Sequence, residues 1–188
     1  MTAVEPDPKS IAHAHRDKFE LISASAEDCS EALNGRRFDV VLMSHVLEHC
    51  ISPMRALANA RSLLQAGGVF HCEVPNNAAA GLRFTGASWE MFDVPRHLHF
   101  FTGDNLRQFC ALAHFHVASV VYCEYTRQFS NDWIATERRI WERLTTAPIT
   151  PRPKQNSKQR AWALLLSTLF APAKAKYDSV RVIAQAIG

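Results

Sequence analysis

The sequence predicts an α/β domain with a doubly wound, largely parallel sheet. Two nearly continuous apolar runs, "FDVVLMS" (38–44) and "VFHCEVPN" (69–76), are typical of strands buried on both faces. Between them, "PMRALANARSLLQAGG" (53–68) repeats apolar residues at helical spacing, with Pro53 in its first turn and Gly67 near its end. A strand, a helix and a strand at this spacing form a crossover unit, so the two strands are expected to be parallel neighbours.

Further elements are predicted on either side of this unit. "FELISA" (19–24) and "HVASVVYCEY" (116–125) read as strands, and "YDSVRVIAQAIG" (177–188) reads as the last strand. Helices are expected at 25–33, 102–115, 131–145 and 158–171, with a long loop at 77–102. The helices before the last strand form an insertion at about 127–176. It could be a substrate lid, a dimer face or part of the hydrophobic core, and we expect it to be part of the core. Its apolar run "AWALLLSTLFAPAKAK" could also lie on a membrane, although burial in the core is expected there too.

Composition limits the class of protein. The chain has 188 residues, 47% hydrophobic and 21% charged, which suits a single soluble domain over 1–188. Its five cysteines form no C-x-x-C pair, so we expect neither a zinc knuckle nor a disulfide framework. The N-terminus has no signal-peptide pattern, and the apolar run 162–173 is shorter than the about 20 residues that span a bilayer. We therefore expect a cytoplasmic protein without a membrane span.

Positive charge is concentrated in the second half. The net charge is +3, while residues 101–188 carry 12 Lys and Arg against 6 Asp and Glu. The stretch "RPKQNSKQR" (152–160) has four cations and no acid. It reads as a solvated basic loop, or as a patch for an anionic partner or a membrane surface. It lacks the interleaved aromatic residues that stack on bases, so no nucleic acid is expected.

"SHVLEH" (44–49) has the spacing of an inverted zinc-peptidase signature, His45-x-x-Glu48-His49. That signature needs both histidines inside one helix, whereas His45 falls where a strand gives way to a helix. The pair His97 and His99 could also suggest a metal, but it belongs to no ligand motif with cysteines. We therefore predict no metal. Two interpretations of Glu48 and His49 remain. Either they cap and pack a helix, or they act directly on a substrate.

Two long runs carry a family resemblance. "FDVVLMSHVLEHCISPMRALANARSLLQAGGVFHCEVPN" (38–76), continued by "PRHLHFFTGDNLRQFCALAHFHV" (95–117), resembles class I S-adenosylmethionine-dependent methyltransferases of the branch with an LEH, GG and PN pattern. The resemblance covers roughly 3–126 and 177–185. It implies a Rossmann-like sheet, S-adenosylmethionine as cofactor and methylation of a small-molecule acceptor.

The same resemblance assigns cofactor positions. Glu5, in "TAVEPDP", falls at the acidic position whose two oxygens accept hydrogen bonds from both ribose hydroxyls. Open α/β sheets bind ligands beyond the carboxyl ends of their strands. The other cofactor-binding residues expected at that edge are Ser25, Ala26, Glu27, Ser44 and His45. Ser25 and Ala26 are expected at the adenine, and Ser44 and His45 near the methionine moiety.

The loop "GASWEMFDVPRHLHFFT" (86–102) carries the candidate acceptor site. His97 and His99 are candidate bases near neutral pH, and His49 is a third candidate. Alternatively, the loop histidines cap a helix or bond to backbone. The aromatic side chains expected to wall an apolar pocket are Trp89, Phe92, Phe100 and Phe101.

One part of the family pattern is missing. The seven glycines form no G-x-G-x-G cluster, and the strand that precedes that turn, central in the family's sheet order 3-2-1-4-5-7-6, has no counterpart. We expect a sheet that is incomplete at its N-terminal end. The strands flanking the gap would then close on each other, or a partner chain or upstream segment would complete the sheet. The alternative to an active methyltransferase is a catalytically inactive methyltransferase-like fragment or partner subunit.

Overall fold

The computed structural model describes residues 1–13, 19–124, 131–146, 155 and 157–187. The strands are β1 (Thr2–Val4), β2 (Glu20–Ile22), β3 (Phe38–Ser44), β4 (Leu64–Pro75), β5 (Phe115–Cys123) and β6 (Ser179–Ala186). The helices are α1 (Pro8–His13), α2 (Cys29–Ala32), α3 (Pro53–Ser62), α4 (Ala80–Thr85), α5 (Gly103–Leu112), α6 (Asn131–Thr145), α7 (Lys158–Ser167) and α8 (Ala173–Lys176). Residue 125, the predicted end of β5, and much of the connection between α6 and α7 lie outside the described residues.

Six strands of the described chain form two sheets. The larger has the order β3-β4-β6-β5, and the smaller contains β1 and β2 in parallel. The predicted parallel pairing of β3 with β4 is confirmed, with Val40 opposite Val69 and Ser44 opposite Glu73. β6 runs antiparallel to both β4 and β5, so the larger sheet is mixed.

The helix predicted at 53–68 is shorter than the sequence indicates. α3 ends at Ser62, and Leu64 already pairs with Phe38 of β3. The register then shifts, and Gly67 takes a φ of +78°, a backbone conformation that favours glycine. Gly67 therefore sits in an irregular stretch of β4 and does not cap α3. The structure also places α4 inside the segment predicted as a loop.

The main core lies between one face of the larger sheet and helices α3 and α5. Phe70 and Val182 contribute from the sheet, and Leu57 and Leu106 from the helices, and all four are buried. A capping box at Thr102 and Asn105 starts α5, as the predicted capped helix requires. This core fixes the strand ends on which the candidate site is built.

A gap separates the two sheets. No hydrogen-bonded ladder joins β1 to β3 within the described residues, so these strands do not close on each other. A small cluster around Leu33 and Leu63, packed against Val4 and Val41, holds the sheets together. On the outer face of β3, the side chains of Val40 and Leu42 are 59% and 62% exposed. β3 is therefore an open, apolar edge strand.

The insertion helices bury only one side. Ile134 of α6 and Leu164 of α7 are buried, whereas Trp162, Leu166 and Phe170 are exposed. The expectation that the run 161–176 is core is therefore wrong for its outer face, because the packing of α7 against α4 buries its inner side and leaves these outer side chains exposed. Within the described residues, no helix has the length and apolar character to cross a membrane.

All five cysteines are reduced thiols. Four of them are buried and Cys123 is half-buried. Burial raises the pKa of Cys50 and of Cys110 to about 12 and raises that of Cys72 well above its ordinary value. These thiols stay protonated at neutral pH, so they are not candidate nucleophiles.

Candidate functional site

The candidate site forms where β3 and β4 end. The chain leaves β3 through His45, whose φ of +52° turns the backbone sharply before the 3₁₀ turn Leu47–His49. The His45 amide donates to the Glu73 carbonyl at 2.9 Å, which ties this turn to β4. His45 is thus held at the carboxyl edge of the sheet, where ligands of open α/β sheets bind.

A chain of charged side chains crosses this edge. His45 contacts two carboxylates, with Nδ1 3.2 Å from Glu48 Oε1 and Nε2 3.7 Å from Glu73 Oε1. Arg181 of β6 donates from Nε and Nη2 to Glu73 Oε2, at 3.1 and 2.7 Å. Glu48 and Glu73 are both buried, and a buried carboxylate is stable only with such partners. The bond to Glu73 in turn raises the pKa of Arg181.

Sequence reasoning missed Glu73 and Arg181. Their contact joins residues 108 positions apart, so no local pattern reports it. The available signal was the charge of Glu73 within the otherwise apolar run "VFHCEVP", because a charge in a doubly buried strand needs a partner.

The loop after α4 docks on the same turn. The amides of Leu98 and His99 donate to the Glu48 carbonyl at 2.8 and 3.2 Å. This docking brings His97 and His99 from the predicted acceptor loop to the end of β3. Of the three candidate bases, His97 is buried, His99 is half-buried and His49 is exposed.

Backbone carbonyls fix the tautomers of His49 and His97. His49 Nδ1 lies 3.0 Å from the Arg96 oxygen, and His97 Nδ1 lies 2.9 Å from the Met91 oxygen. A carbonyl only accepts, so each Nδ1 carries a hydrogen, and in the neutral form of either ring Nε2 has the lone pair. The two rings meet edge-on, with centroids 4.6 Å apart. Burial lowers the pKa of His97, which keeps that ring neutral near pH 7.

Glu48, His49 and His97 form a three-residue cluster. One ligand atom from each lies within 4.8 Å of the others, and Glu48 Oε2 has no hydrogen-bond partner among the described residues. Such a set can take a proton from a bound molecule, and its donor atoms also suit a divalent cation. The expected absence of a metal remains a prediction. The inverted zinc-peptidase interpretation fails on geometry, because His45 lies outside the 3₁₀ turn and outside this cluster.

Glu5 follows β1 as expected. Its amide donates to the Ile22 carbonyl at 3.0 Å, which places Glu5 at the end of both strands of the smaller sheet. Its Oε1 accepts from the Asp7 amide at 2.9 Å. The half-buried carboxylate therefore stands at the carboxyl ends of β1 and β2, and its cofactor role remains a prediction.

The segment 25–27 is tied to α3. The Ala26 carbonyl accepts from Asn59 Nδ2 at 3.1 Å, and Glu27 Oε1 accepts from the Ser52 amide at 3.1 Å. Ser25 Oγ donates to Asp28 at 2.6 Å. These bonds hold the segment between β2 and α3, and a cofactor role for its residues stays a prediction, as it does for the exposed Ser44.

The aromatic residues of the acceptor loop divide into two groups. Trp89 and Phe101 are buried in separate apolar clusters, and Trp89 lines a small cavity together with Gly81 and Leu164. Phe92 and Phe100 stack with centroids 4.8 Å apart and keep part of their surface exposed. The second pair has the surface that a bound molecule could contact at the protein exterior.

This fold and this strand-end site define a class of protein. A family model described as a methyltransferase domain matches residues 1–120, which is more than half of the chain. The chain therefore belongs to the methyltransferase-domain family.

Individual relatives narrow the comparison. The chain is 34% identical over 106 residues to the ubiquinone biosynthesis O-methyltransferase of Cereibacter sphaeroides, a match that covers 51% of this chain and 42% of that protein. The chain thus spans less than half the length of that curated relative.

Two solved structures share the fold. A SAM-dependent methyltransferase from Archaeoglobus fulgidus superposes with a TM-score of 0.61 at 15% identity, covering 97% of this chain and 74% of the other. The N-methyltransferase NodS from Bradyrhizobium japonicum, solved with S-adenosyl-L-homocysteine, superposes with a TM-score of 0.54 at 11% identity, covering 100% and 66%.

Proposed function

We propose that this chain acts as an S-adenosylmethionine-dependent methyltransferase domain on a small-molecule acceptor. We further propose that residues 1–188 form one domain, with the helical insertion at about 127–176. The observation that carries the proposal is the pair His49 and His97 beside the buried Glu48 at the end of β3, with both histidine tautomers fixed. Family membership supports the same reaction class.

The residues present suit two ends of the cofactor. Glu5 offers a carboxylate to adjacent hydroxyls, and the described contacts use only its Oε1. Ser44 and His45 stand at the end of β3, where the methionine moiety is expected. The glycine turn of the family has no equivalent here, because Gly35, Gly67 and Gly86 take their left-handed conformations in turns elsewhere. When bound, S-adenosylmethionine supplies a methyl group already activated by the positive charge on sulfur.

The chain's own residues provide proton transfer. Nε2 of His97 or of His49 accepts the proton that an oxygen or nitrogen acceptor loses, while the carbonyls of Met91 and Arg96 keep each ring oriented. The carboxylate of Glu48 lies close enough to stabilise the imidazolium that forms. His99 is a third candidate. The hydrogen bond from its backbone amide to the Glu48 carbonyl holds it nearby.

A completing strand is part of the proposal. The open edge of β3 exposes Val40 and Leu42, and β1 presents a second unpaired edge across the gap. One apolar strand, supplied by an upstream segment or a partner chain, would pair with these edges, and a layer packed on the outer face of β3 would cover those side chains.

The second candidate is a catalytically inactive methyltransferase-like fragment or subunit. The split sheet favours it, because the cofactor site then has only part of its walls within the described chain.

Methyl transfer by a completed chain separates these two functions. Residues 1–188, extended at the N-terminus by the strand and glycine loop of a relative, would be tested with S-adenosylmethionine and a panel of phenols and amines. We expect turnover, and His97→Gln or His49→Gln should lower it by roughly 10²–10⁴-fold at unchanged cofactor affinity. The control is His116→Gln, an exposed histidine on β5. Cofactor binding without transfer to any acceptor would favour the inactive subunit.

A further inference from the structure

The outer face of α7 exposes large apolar side chains. Trp162 is 61% exposed, Leu166 is 71% exposed, and in the turn that follows Leu169 is 52% and Phe170 is 94% exposed. Trp162 and Leu166 are four residues apart, so they share one side of the helix, and Leu169 and Phe170 lie in the turn that directly follows it. We call these four residues the α7 surface. Contiguous apolar surface of this kind marks an interaction site.

The opposite side of the same helix is also apolar and is already occupied. Ala161 and Leu164 are buried there, together with Thr168, whose hydroxyl donates to the Leu164 carbonyl at 2.7 Å. α7 therefore carries apolar side chains on two sides, and the packing against α4 accounts for the inner side. The large apolar side chains of the outer side remain exposed to solvent.

Charge around the α7 surface identifies the kind of partner. From residue 143 to residue 177 the sequence contains no Asp or Glu, and its cations are Arg143, Arg152, Lys154, Lys158, Arg160, Lys174 and Lys176. Of the described cations, three are exposed: Arg143 near the end of α6, Lys158 at the start of α7 and Lys174 in α8. Apolar side chains flanked by cations match an anionic phospholipid surface, which offers hydrocarbon below a layer of phosphates.

We propose that the α7 surface docks this protein on anionic phospholipid bilayers, with α7 lying in the plane of the interface. The helix has 10 residues, about 15 Å at 1.5 Å per residue, so it lies on a bilayer and does not span one. A second copy fits less well, because pairing two α7 surfaces would bring cations together in a segment that has no acid to neutralise them. The proposal does not depend on the methyltransferase function.

Vesicle flotation tests the proposal directly. The chain would be mixed with vesicles of phosphatidylcholine alone or of phosphatidylcholine with phosphatidylglycerol, without cofactor. We expect binding to the second kind only, and loss of binding by about tenfold or more in the variant Trp162→Ser, Leu166→Ser, Phe170→Ser. Lys158→Ala and Lys174→Ala should each weaken binding about fivefold, and salt should do the same.

Matched controls keep the test specific. Leu112→Ser removes a leucine that is 68% exposed on α5 and should leave vesicle binding unchanged. Circular dichroism and the melting temperature should show that each variant is folded. In the parent chain, emission from Trp162 should shift to the blue on anionic vesicles, and Trp162→Phe should abolish that shift.

Three results would overturn the proposal. They are no binding to anionic vesicles, equal loss of binding in Leu112→Ser, and a concentration-dependent dimer that Phe170→Ser dissociates while vesicles bind nothing. The last result would assign the α7 surface to a second copy of the chain.

Discussion

At the scale of single residues, His97 combines burial with a fixed hydrogen bond. Nδ1 donates to the Met91 carbonyl, and the ring is packed against His49. Burial lowers the pKa of His97, partly opposed by that hydrogen bond and by the nearby carboxylates of Glu48 and Asp93. The protonated ring is therefore less stable in the folded state than in the unfolded chain. This coupling makes the site sensitive to acid.

We predict that acidification destabilises the protein partly through His97. Above an unfolded pKa of about 6.5 the ring is neutral in both states, and the stability is fully present. As pH falls through that value toward the lowered folded pKa, the unfolded chain binds the proton more readily and stability is lost. Urea unfolding at about pH 7.5 and about pH 5.5 should therefore show a smaller loss for His97→Gln than for the parent chain.

His71 serves as the comparison for that experiment. Its pKa is also lowered, by burial and by Arg181, so His71→Gln should flatten the pH dependence in the same direction. His116 is exposed, and His116→Gln is the control for the effect of the substitution itself on stability. An identical acid response in His97→Gln and the parent chain would show that His97 does not couple folding to pH.

At the scale of elements, β3 has two unlike faces. Met43 on one face is buried in the main core, whereas Val40 and Leu42 on the other face lie in water. A continuous apolar strand is expected where both faces are covered. The sequence of β3 is thus suited to a sheet with another layer on its outer face, and the described chain leaves that face open.

We predict that the outer face of β3 tolerates charge. Val40→Lys with Leu42→Lys should change the free energy of unfolding of the 188-residue chain by less than about 1 kcal/mol, because surface substitutions remove few contacts. The same change should lower self-association, since lysine on an edge strand disfavours pairing with other chains. Urea unfolding and light scattering would measure the two effects.

Met43→Lys is the matched control on the buried face. It should destabilise the chain by about 3 kcal/mol or more, because it buries an unpaired charge in the core. If the double lysine variant is destabilised as strongly as Met43→Lys, the outer face of β3 is covered in solution.

At the scale of the whole molecule, the gap between the two sheets separates the residues that are proposed to bind the cofactor. Glu5 belongs to the smaller sheet, and His45 belongs to the end of the larger one. A cluster around Leu33 and Leu63 is the main described link between these parts. A strand in the gap would fix Glu5 relative to His45 and supply the glycine turn that lets backbone approach the cofactor.

We predict that the 188-residue chain alone binds S-adenosylmethionine weakly and that the N-terminally extended chain binds it well. Glu5 by itself offers only a partly exposed charge-assisted bond, and ordering the cofactor offsets much of that contribution. Calorimetry would compare the two chains. In the extended chain, Glu5→Ala should weaken binding about tenfold, equivalent to about 1.4 kcal/mol.

Two outcomes would count against this prediction. Micromolar binding by the unextended chain would show that residues 1–188 already contain a sufficient site. An unchanged affinity in Glu5→Ala would remove Glu5 from that site. Val40→Lys with Leu42→Lys in the extended chain should reduce binding, because the lysines would oppose the completing strand.

The sequence by itself determined the parts of this protein that depend on local pattern. β3 occupies the predicted residues, and α6 spans the predicted 131–145, because apolar periodicity over one element is a short-range property. The parallel pairing of β3 with β4 followed from the helix between them. Family membership followed from the long run at 38–76 and was confirmed by the family model. His49, His97 and His99 were also identified from the sequence as candidate bases, and their roles remain predictions.

Only the tertiary structure decided which side chains meet. The bond from His49 to Arg96 joins residues 47 apart in the chain, and the bond from Arg181 to Glu73 joins residues 108 apart. The early end of α3 likewise depends on Leu64 pairing with β3. In α7, apolar periodicity indicated a buried helix, and packing against α4 covered only its inner side. Each of these outcomes depends on contacts between distant segments, whose free energies exceed the local preferences that a sequence pattern reports.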